Sequence, residues 1–504
     1  MRNEVPRKME RAGGILLHPI SLPSSCGIGD LGSAANRWLA WLGESGCGLW
    51  QMLPLGPPGY SESPYQSYSS FAGNPLLISL DGLVEDGLLA QQDLDHVPDF
   101  PPDRIAYNDV MAFKYSALDL AAERFFGGAN ESLIQVYETY ENENRDWLDD
   151  FALFMALKEA HDGLPWTSWE TELAARRPDA IGRAAEEMAS SLDKYRFHQF
   201  VFSRQWQSVR QRARASGVEL IGDLPIYVAH DSVDTWVHPE LFQLDANGMP
   251  TYVAGVPPDY FSPTGQRWGN PLYRWEKMQA NGFHWWIRRF RAVLRWVDLV
   301  RFDHFLGLNR YWQIPAANLT AEQGTWQPAP GEELLDKLQD ALGGLPIIVE
   351  DLGLVTPEVE ALRDRFGLPG MKILQFAFDG DSENPFLPDH YPSNCVAYTG
   401  THDNDTARGW YENAPEQIRD RFRRYTGSDG THVAWDMIRA LWRSKADRTL
   451  AQMQDLLELG NEARMNVPGT SSGNWRWRMQ ESQLTLQLAE KLRALNETTD
   501  RMRG

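Results

Sequence analysis

The stretch Leu299-Val-Arg-Phe-Asp-His-Phe305 decides how the rest of this chain is read. It is a short apolar run that ends by presenting Arg301, Asp303 and His304 together. Residues two apart on a strand share a face, so Arg301 and Asp303 are expected to be neighbours in space. A guanidinium beside a carboxylate keeps that carboxylate ionised, the state a nucleophile needs at neutral pH. Pro346-Ile-Ile-Val-Glu-Asp-Leu-Gly353 and Cys395-Val-Ala-Tyr-Thr-Gly-Thr-His-Asp403 have the same build, an apolar strand running into carboxylates.

Eight such runs recur: Gly14–His18, Leu49–Leu55, Val218–Val228, Leu299–Asp303, Ile347–Glu350, Met371–Phe378, Cys395–Thr399 and Arg464–Val467. Near-continuous apolar runs suit buried parallel strands, and their alternation with amphipathic segments implies βα units. The expected fold is α/β: a (β/α)8 TIM barrel with inserted, mainly helical subdomains and long loop excursions at its C-terminal face, and no C-terminal β-sandwich. Residues 1–55 would hold the first two strands, 56–217 an inserted mainly helical subdomain with its return helix, and 218–504 the other six strands. The insert is read from helical patterns over Asp109–Phe126, Leu133–Ala160 and Ala180–Ala215, in a gap far longer than one crossover helix needs. Residues 229–275, rich in Pro, Gly, Asp and aromatics, read as a loop excursion over the site. A closing amphipathic helix is expected over Ser482–Arg503, with Leu484, Leu486, Leu488, Leu492 and Leu495 mostly on one stripe.

Composition narrows the partners. The 504-residue chain carries a net charge of −21, which argues against nucleic acid or an anionic membrane as the main partner. The N-terminal MRNEVPRKMERAGG has no apolar segment of a signal peptide, and no stretch reaches the apolar length of a membrane span. Three cysteines, Cys26, Cys47 and Cys395, without close pairing indicate a reducing compartment, so the expected location is the cytoplasm. Twenty Trp and seventeen Tyr are many, and several fall in polar, Gly/Pro-rich segments such as Pro57–Gln66 and Pro257–Trp268. Aromatics on loops suit the C–H faces of sugars, although large cores also hold many rings.

Catalytic groups of such barrels stand at the C-terminal ends of several strands. Asp223, Asp303, Glu350 and Asp403 fall there. A single strand-terminal Asp serves as well to cap the next helix. Four acids, two of them beside histidine, are more than capping requires. Two chemistries fit: glycoside cleavage by a carboxylate nucleophile and a carboxylic acid, or a divalent metal site of the sugar-isomerase type. Arg301 opposes a bound cation and supports an anionic nucleophile, and no tight spacing such as H-E-x-x-H is present. Glycoside chemistry is therefore favoured. Glu350 and Asp351 are adjacent, so only one can face the barrel interior, and their apolar neighbours Ile348 and Val349 do not choose. His402 and Asp403 can both reach the site only if the strand has already bent, which Gly400 permits.

Val300-Arg-Phe-Asp-His304, Glu350-Asp-Leu-Gly353 and Thr401-His-Asp403 resemble three signature regions of the α-amylase clan of retaining glycosidases and transglycosidases. Within it, Ser63-Pro-Tyr-Gln66, Phe71-Ala-Gly-Asn-Pro75, Gly222-Asp-Leu-Pro-Ile-Tyr227, Val256-Pro-Pro-Asp-Tyr-Phe261 and Trp268-Gly-Asn-Pro-Leu-Tyr273 resemble the compact form of the 4-α-glucanotransferases (amylomaltases, or disproportionating enzymes). The resemblance runs from about Gly14 to Arg478. It implies Asp303 as nucleophile forming a β-glucosyl-enzyme, Glu350 as general acid/base, and Asp403 as the residue that binds sugar hydroxyls and stabilises the oxocarbenium-like transition state. It implies that Arg301, His402, Asp223 and Tyr65 support the donor sugar, that Trp268 lies on a loop folding over the glucan, and that Tyr60 and Tyr107 match a second, surface glucan site.

The implied activity is retaining transfer of an α-1,4-glucan segment from a maltodextrin donor to the 4-OH of another glucan or of glucose. The implied partners are maltooligosaccharides, amylose or related α-1,4-glucans, with no nucleic acid, membrane, cofactor or metal, and the chain as a monomer or weak homo-oligomer. A hydrolase of the same clan and a non-catalytic glucan-binding barrel are the alternatives. A retaining pair stands about 5–5.5 Å apart, and its acid needs a raised pKa. The sequence departs from the family at Phe302, where Ile is more usual, at Leu306-Gly-Leu308, where Arg-Gly-Phe is common, and at Arg267 and Arg274, where Leu and Asp are common.

Overall fold

The computed structural model describes residues 10–258 and 262–503. Eight parallel strands form a barrel: β1 (Ala12–Leu16), β2 (Leu49–Gln51), β3 (Glu219–Leu224), β4 (Leu299–Phe302), β5 (Ile347–Val349), β6 (Gly370–Ile373), β7 (Cys395–Tyr398) and β8 (Arg448–Gln452). They pair in chain order, and β8 returns to β1 with Arg448 opposite Ala12. The β5–β6 seam is closed more sparingly: Val349 N–H donates to Pro369 O at 2.9 Å. There the Asp351 carboxylate substitutes for a ladder carbonyl, accepting Met371 N–H at 2.7 Å while pairing with Arg363 at 2.7 Å. A Cβ on Gly370 would sit 2.3 Å from that carboxylate, so only glycine fits at the seam.

The two-residue period of the strands separates two cores. Ala12, Leu49, Ile221, Ile348, Met371, Ile373, Val396, Tyr398 and Leu450 fill the barrel interior. Alternate residues, such as Phe302, Val349 and Ala397, belong to the larger shell between strands and helices. Phe302 is 1% exposed, with its ring parallel to Phe290 (5.9 Å, 6°) and near-parallel to Trp286 (5.9 Å, 30°). An aromatic shell therefore houses the larger side chain. Trp38, Trp50, Trp206, Trp236, Trp286 and Trp442 are fully buried, so much of the aromatic richness belongs to the core and not to sugar-facing loops.

Two expectations about elements are corrected. The eighth strand is Arg448–Gln452, and Arg464–Val467 lies in a loop after a short 3-10 helix, Asn461–Ala463. The strand escaped a hydrophobic reading because Arg448, Thr449 and Gln452 are polar yet buried, with Arg448 paired to Glu219 at 2.9 Å. The closing helix is Leu486–Thr498, and it buries Ala489, Leu492 and Asn496 while Leu486 faces solvent. A packing helix needs only that narrow stripe, and the Asn496 amide satisfies Ser45 O at 3.0 Å and the Trp442 indole at 2.7 Å.

Between β2 and β3 the chain forms helices Tyr107–Phe126, Glu131–Ala160, Pro178–Glu187 and Ala189–Ala215, the last two separated at Met188. The Phe71–Pro75 motif fastens this insert, because Gln199 both donates to Gly73 O and accepts Gly73 N–H at 2.9 and 2.7 Å. The excursion after β3 is more ordered than a loop. Its strands Tyr252–Val256 and Gln266–Pro271 join Arg310–Pro315 and Thr325–Pro328, from the excursion after β4, in one antiparallel sheet. Arg267 and Arg274 serve this unit, donating to Ala316 O at 3.0 Å and Leu244 O at 2.7 Å. Residues 259–261 of the Val256–Phe261 motif lie outside the described residues. Among the described residues, no helix is long and apolar enough to cross a membrane.

Asp351→Ala would open the seam and leave the buried Met371 N–H without its acceptor, while Arg363 keeps Asp364. It is expected to lower stability by about 2 kcal/mol in urea unfolding, the scale of one orphaned buried donor. An unchanged unfolding curve would show that Asp351 does not hold the barrel closed.

Candidate active site

Register places the first pair. Asp223 of β3 lies opposite Arg301 of β4, and both follow interior residues by two: Ile221 before Asp223, Leu299 before Arg301. Both side chains therefore point into the barrel mouth. Arg301, 3% exposed, bridges two carboxylates through one nitrogen, with Nη1 2.7 Å from Asp223 Oδ2 and 2.8 Å from Asp303 Oδ1. Tyr65 donates its hydroxyl to the same Asp223 oxygen at 2.9 Å and stacks on His402 (5.1 Å, 19°). Burial pushes Asp223 up to about 6, with Arg301 pulling the other way. Asp303 follows the last residue of β4 and keeps 28% of its side chain exposed, so one oxygen faces Arg301 while the group stays reachable from the mouth.

The same parity resolves the pair that the sequence leaves open. Ile348 belongs to the interior cluster and Val349 to the outer shell, so Glu350 continues the inward series and Asp351 the outward one. Glu350 accepts backbone N–H bonds from His304 at 2.7 Å and from Leu352 at 3.0 Å. The first exists because His304 adopts a left-handed conformation (φ 53°, ψ 53°), unusual for a residue with a Cβ, which turns its amide toward β5. Withdrawal from water, followed by the charge of Asp303, pushes Glu350 up to about 8 against the pull of Arg301 and the two amides. The His304 ring stands edge-on to Trp268 at 4.7 Å, and burial pushes it down to about 4, leaving a neutral imidazole.

Asp403 lies beyond the end of β7, in a loop that has left the strand, which is how adjacent His402 and Asp403 both reach the site. Gly400 serves this bend by close packing: a Cβ there would meet Gln375 Nε2 at 2.7 Å and Gln452 Nε2 at 2.9 Å. His402 is buried, with Nε2 3.3 Å from Asp403 Oδ2. Asn466 donates to Asp403 Oδ1 at 2.6 Å, and Arg464 to its backbone carbonyl at 2.6 Å. Burial opposes ionisation of Asp403, but His402 and then Asn466 outweigh it and hold the carboxyl well below the usual range.

The structure thus gathers Tyr65, Asp223, Arg301, Asp303, Glu350, His402 and Asp403 around one opening, with Trp268 edge-on beside it. Tyr107 does not join a surface: it is 3% exposed and its hydroxyl is donated to Trp475 O at 2.9 Å, so burial removes it from any surface glucan site. The Tyr60 side chain lies outside the described residues. Sequence reasoning missed Asn466, Arg464 and the His304 amide. The first two sit in the Arg464–Val467 run that reads as a strand, and a left-handed amide leaves no signal in residue type.

Across the chain, a family model described as 4-alpha-glucanotransferase matches residues 17–485. The 4-alpha-glucanotransferase of Thermus thermophilus is 48% identical over 503 residues, covering 98% of this chain and 100% of that protein. The 4-alpha-glucanotransferase of Synechocystis sp. is 47% identical over 494 residues, 97% of each chain. A solved amylomaltase from Streptococcus agalactiae in complex with acarbose is 35% identical, with a TM-score of 0.95 over 98% of this chain and 100% of that one. Because the family match and the relatives both span nearly the whole sequence, the chain belongs to the 4-alpha-glucanotransferase family.

Proposed function

We propose that this protein transfers α-1,4-glucan segments between maltooligosaccharides or related glucans by retaining double displacement. The observation that carries the reading is the division of labour between two carboxyl groups. Arg301 stands 2.8 Å from Asp303, which stays reachable from the mouth, whereas Glu350 is withdrawn from water, pushed up to about 8 and protonated at neutral pH. A reachable carboxyl group paired with a guanidinium, next to a buried carboxylic acid, suits a nucleophile and an acid.

In the first step Asp303 attacks the anomeric carbon of the donor, and Glu350 gives its proton to the departing glycosidic oxygen. A carboxylic ester forms as the C–O bond breaks. In the second step the Glu350 carboxylate takes the proton of an acceptor 4-OH, whose oxygen displaces Asp303 and restores the original configuration. Asp403, kept ionised by His402 and Asn466, can hold two sugar hydroxyls and favour the positive charge that develops at the ring. Asp223 and Tyr65 hold Arg301 and His402 in place, and Trp268 offers an aromatic face at the rim. Trp268, carried on the sheet strand Gln266–Pro271, would shield the bound chain from water, the competitor of a sugar acceptor. The site needs neither cofactor nor metal in this scheme, and the chain acts in the cytoplasm as a monomer or weak homo-oligomer.

Incubation with maltotriose is expected to yield glucose together with longer oligomers. Maltose and glucose alone would identify a hydrolase instead. Asp303→Asn is expected to lower kcat by roughly four orders of magnitude while maltotriose still binds. Wild-type behaviour of that variant would point to a glucan-binding barrel without catalysis. Because Glu350 must be protonated to act first as an acid, kcat/KM should be full below its pKa and fall as pH rises through about 8. A profile flat through pH 9, or one that already falls at the ordinary glutamic acid range, would remove Glu350 from that role.

A further inference from the structure

We infer that Asp455 is a positioning residue for the reaction, tying together the two ends of the loop that carries His402 and Asp403. The inference rests on the role proposed above for Asp403. The loop leaves β7 at Thr399 and ends where the helix Ala407–Asn413 begins. Asp455 sits on the single-turn helix Met453–Leu456 that follows β8, the neighbouring strand, and is 0% exposed. Its two oxygens divide between the loop ends: Thr399 Oγ1 donates to Oδ2 at 2.5 Å, and Ala407 N–H donates to Oδ1 at 2.7 Å.

No Lys, Arg or His pairs with this carboxylate among the described residues. A buried acid without a cation is costly, and burial pushes Asp455 up to about 6. What this group supplies, and an apolar side chain would not, is two polar contacts at fixed separation across the base of the loop. The middle of the loop is held by other hands: Gln375 and Gln452 both donate to Asp405 O, at 2.8 and 3.4 Å, and Asn404 Oδ1 accepts Thr401 N–H at 2.9 Å. Those contacts anchor the middle of the loop, and Arg464 and Asn466 hold Asp403 itself. Asp455 adds the anchor of the two loop ends, and so helps to set where Asp403 meets the sugar.

The contacts call for an acceptor facing Ala407 and a partner for a hydroxyl facing Thr399. A carboxamide supplies both, accepting from Ala407 N–H and donating to Thr399 Oγ1. The test compares Asp455→Ala, Asp455→Asn, Thr399→Val and the Asp455→Ala/Thr399→Val double variant, by kcat and KM on maltotriose and by thermal unfolding. Asp455→Ala is expected to lose about 100-fold in kcat, the scale of a small misplacement of a catalytic group, with a lesser change in KM. Asp455→Asn should restore kcat to within a few fold, and the double variant should be no worse than Asp455→Ala, since both remove one unit. Thr399→Val, which removes a single arm, should fall in the same direction by less and keeps the test open should Asp455→Ala not fold. Wild-type kcat in Asp455→Ala well below its unfolding temperature, or an Asp455→Asn variant as impaired as the alanine, would overturn the staple. Asp403→Asn, assayed alongside, separates the two readings: full turnover there would overturn the premise about Asp403, whereas an inactive Asp403→Asn beside a fully active Asp455→Ala overturns the staple alone.

Discussion

The site depends on one buried guanidinium held between two carboxylates. Arg301 is 3% exposed, and removing such a cation from water is tolerable only because Asp223 and Asp303 lie within 2.8 Å of it. The dependence runs both ways. Arg301 in turn opposes the rise that burial imposes on Asp223. Strand register delivers this arrangement, since Asp223 and Arg301 are direct partners on β3 and β4 and Asp303 is two residues further along. The electrostatics of the mouth is thus written into the pairing of two strands.

The same parity explains how far the sequence could be read. Spacing by two made Arg301 and Asp303 neighbours, and the barrel followed from repeated apolar runs. What spacing could not decide was which of Glu350 and Asp351 faced inward, because Ile348 and Val349 are equally apolar. Only their distribution between the barrel interior and the outer shell answers that. The resemblance to known signature motifs pointed to the same residue for a different reason.

Elsewhere the sequence was silent because polar residues do structural work in buried places. β8 is hidden by Arg448, Thr449 and Gln452, polar residues that are nonetheless buried, with Arg448 paired to Glu219 far away in the chain. The antiparallel sheet draws its strands from two excursions separated by a barrel strand, so neither half carries a hairpin signal for the whole. Asn466 is informative only once Asp403 is seen 2.6 Å away. Phe302 shows the reverse case, a departure from family habit that matters little because Trp286 and Phe290 present flat faces to it.

The left-handed turn at His304 has a mechanical consequence. Its amide nitrogen is bonded covalently to the carbonyl carbon of Asp303 and hydrogen-bonded to Glu350 at 2.7 Å. The frame against which the proposed acid/base is held is therefore the peptide plane that follows the proposed nucleophile. That hydrogen bond spans β4 and β5, so the gap between the two carboxyl groups is set by one peptide plane and one hydrogen bond as well as by the strand pairing.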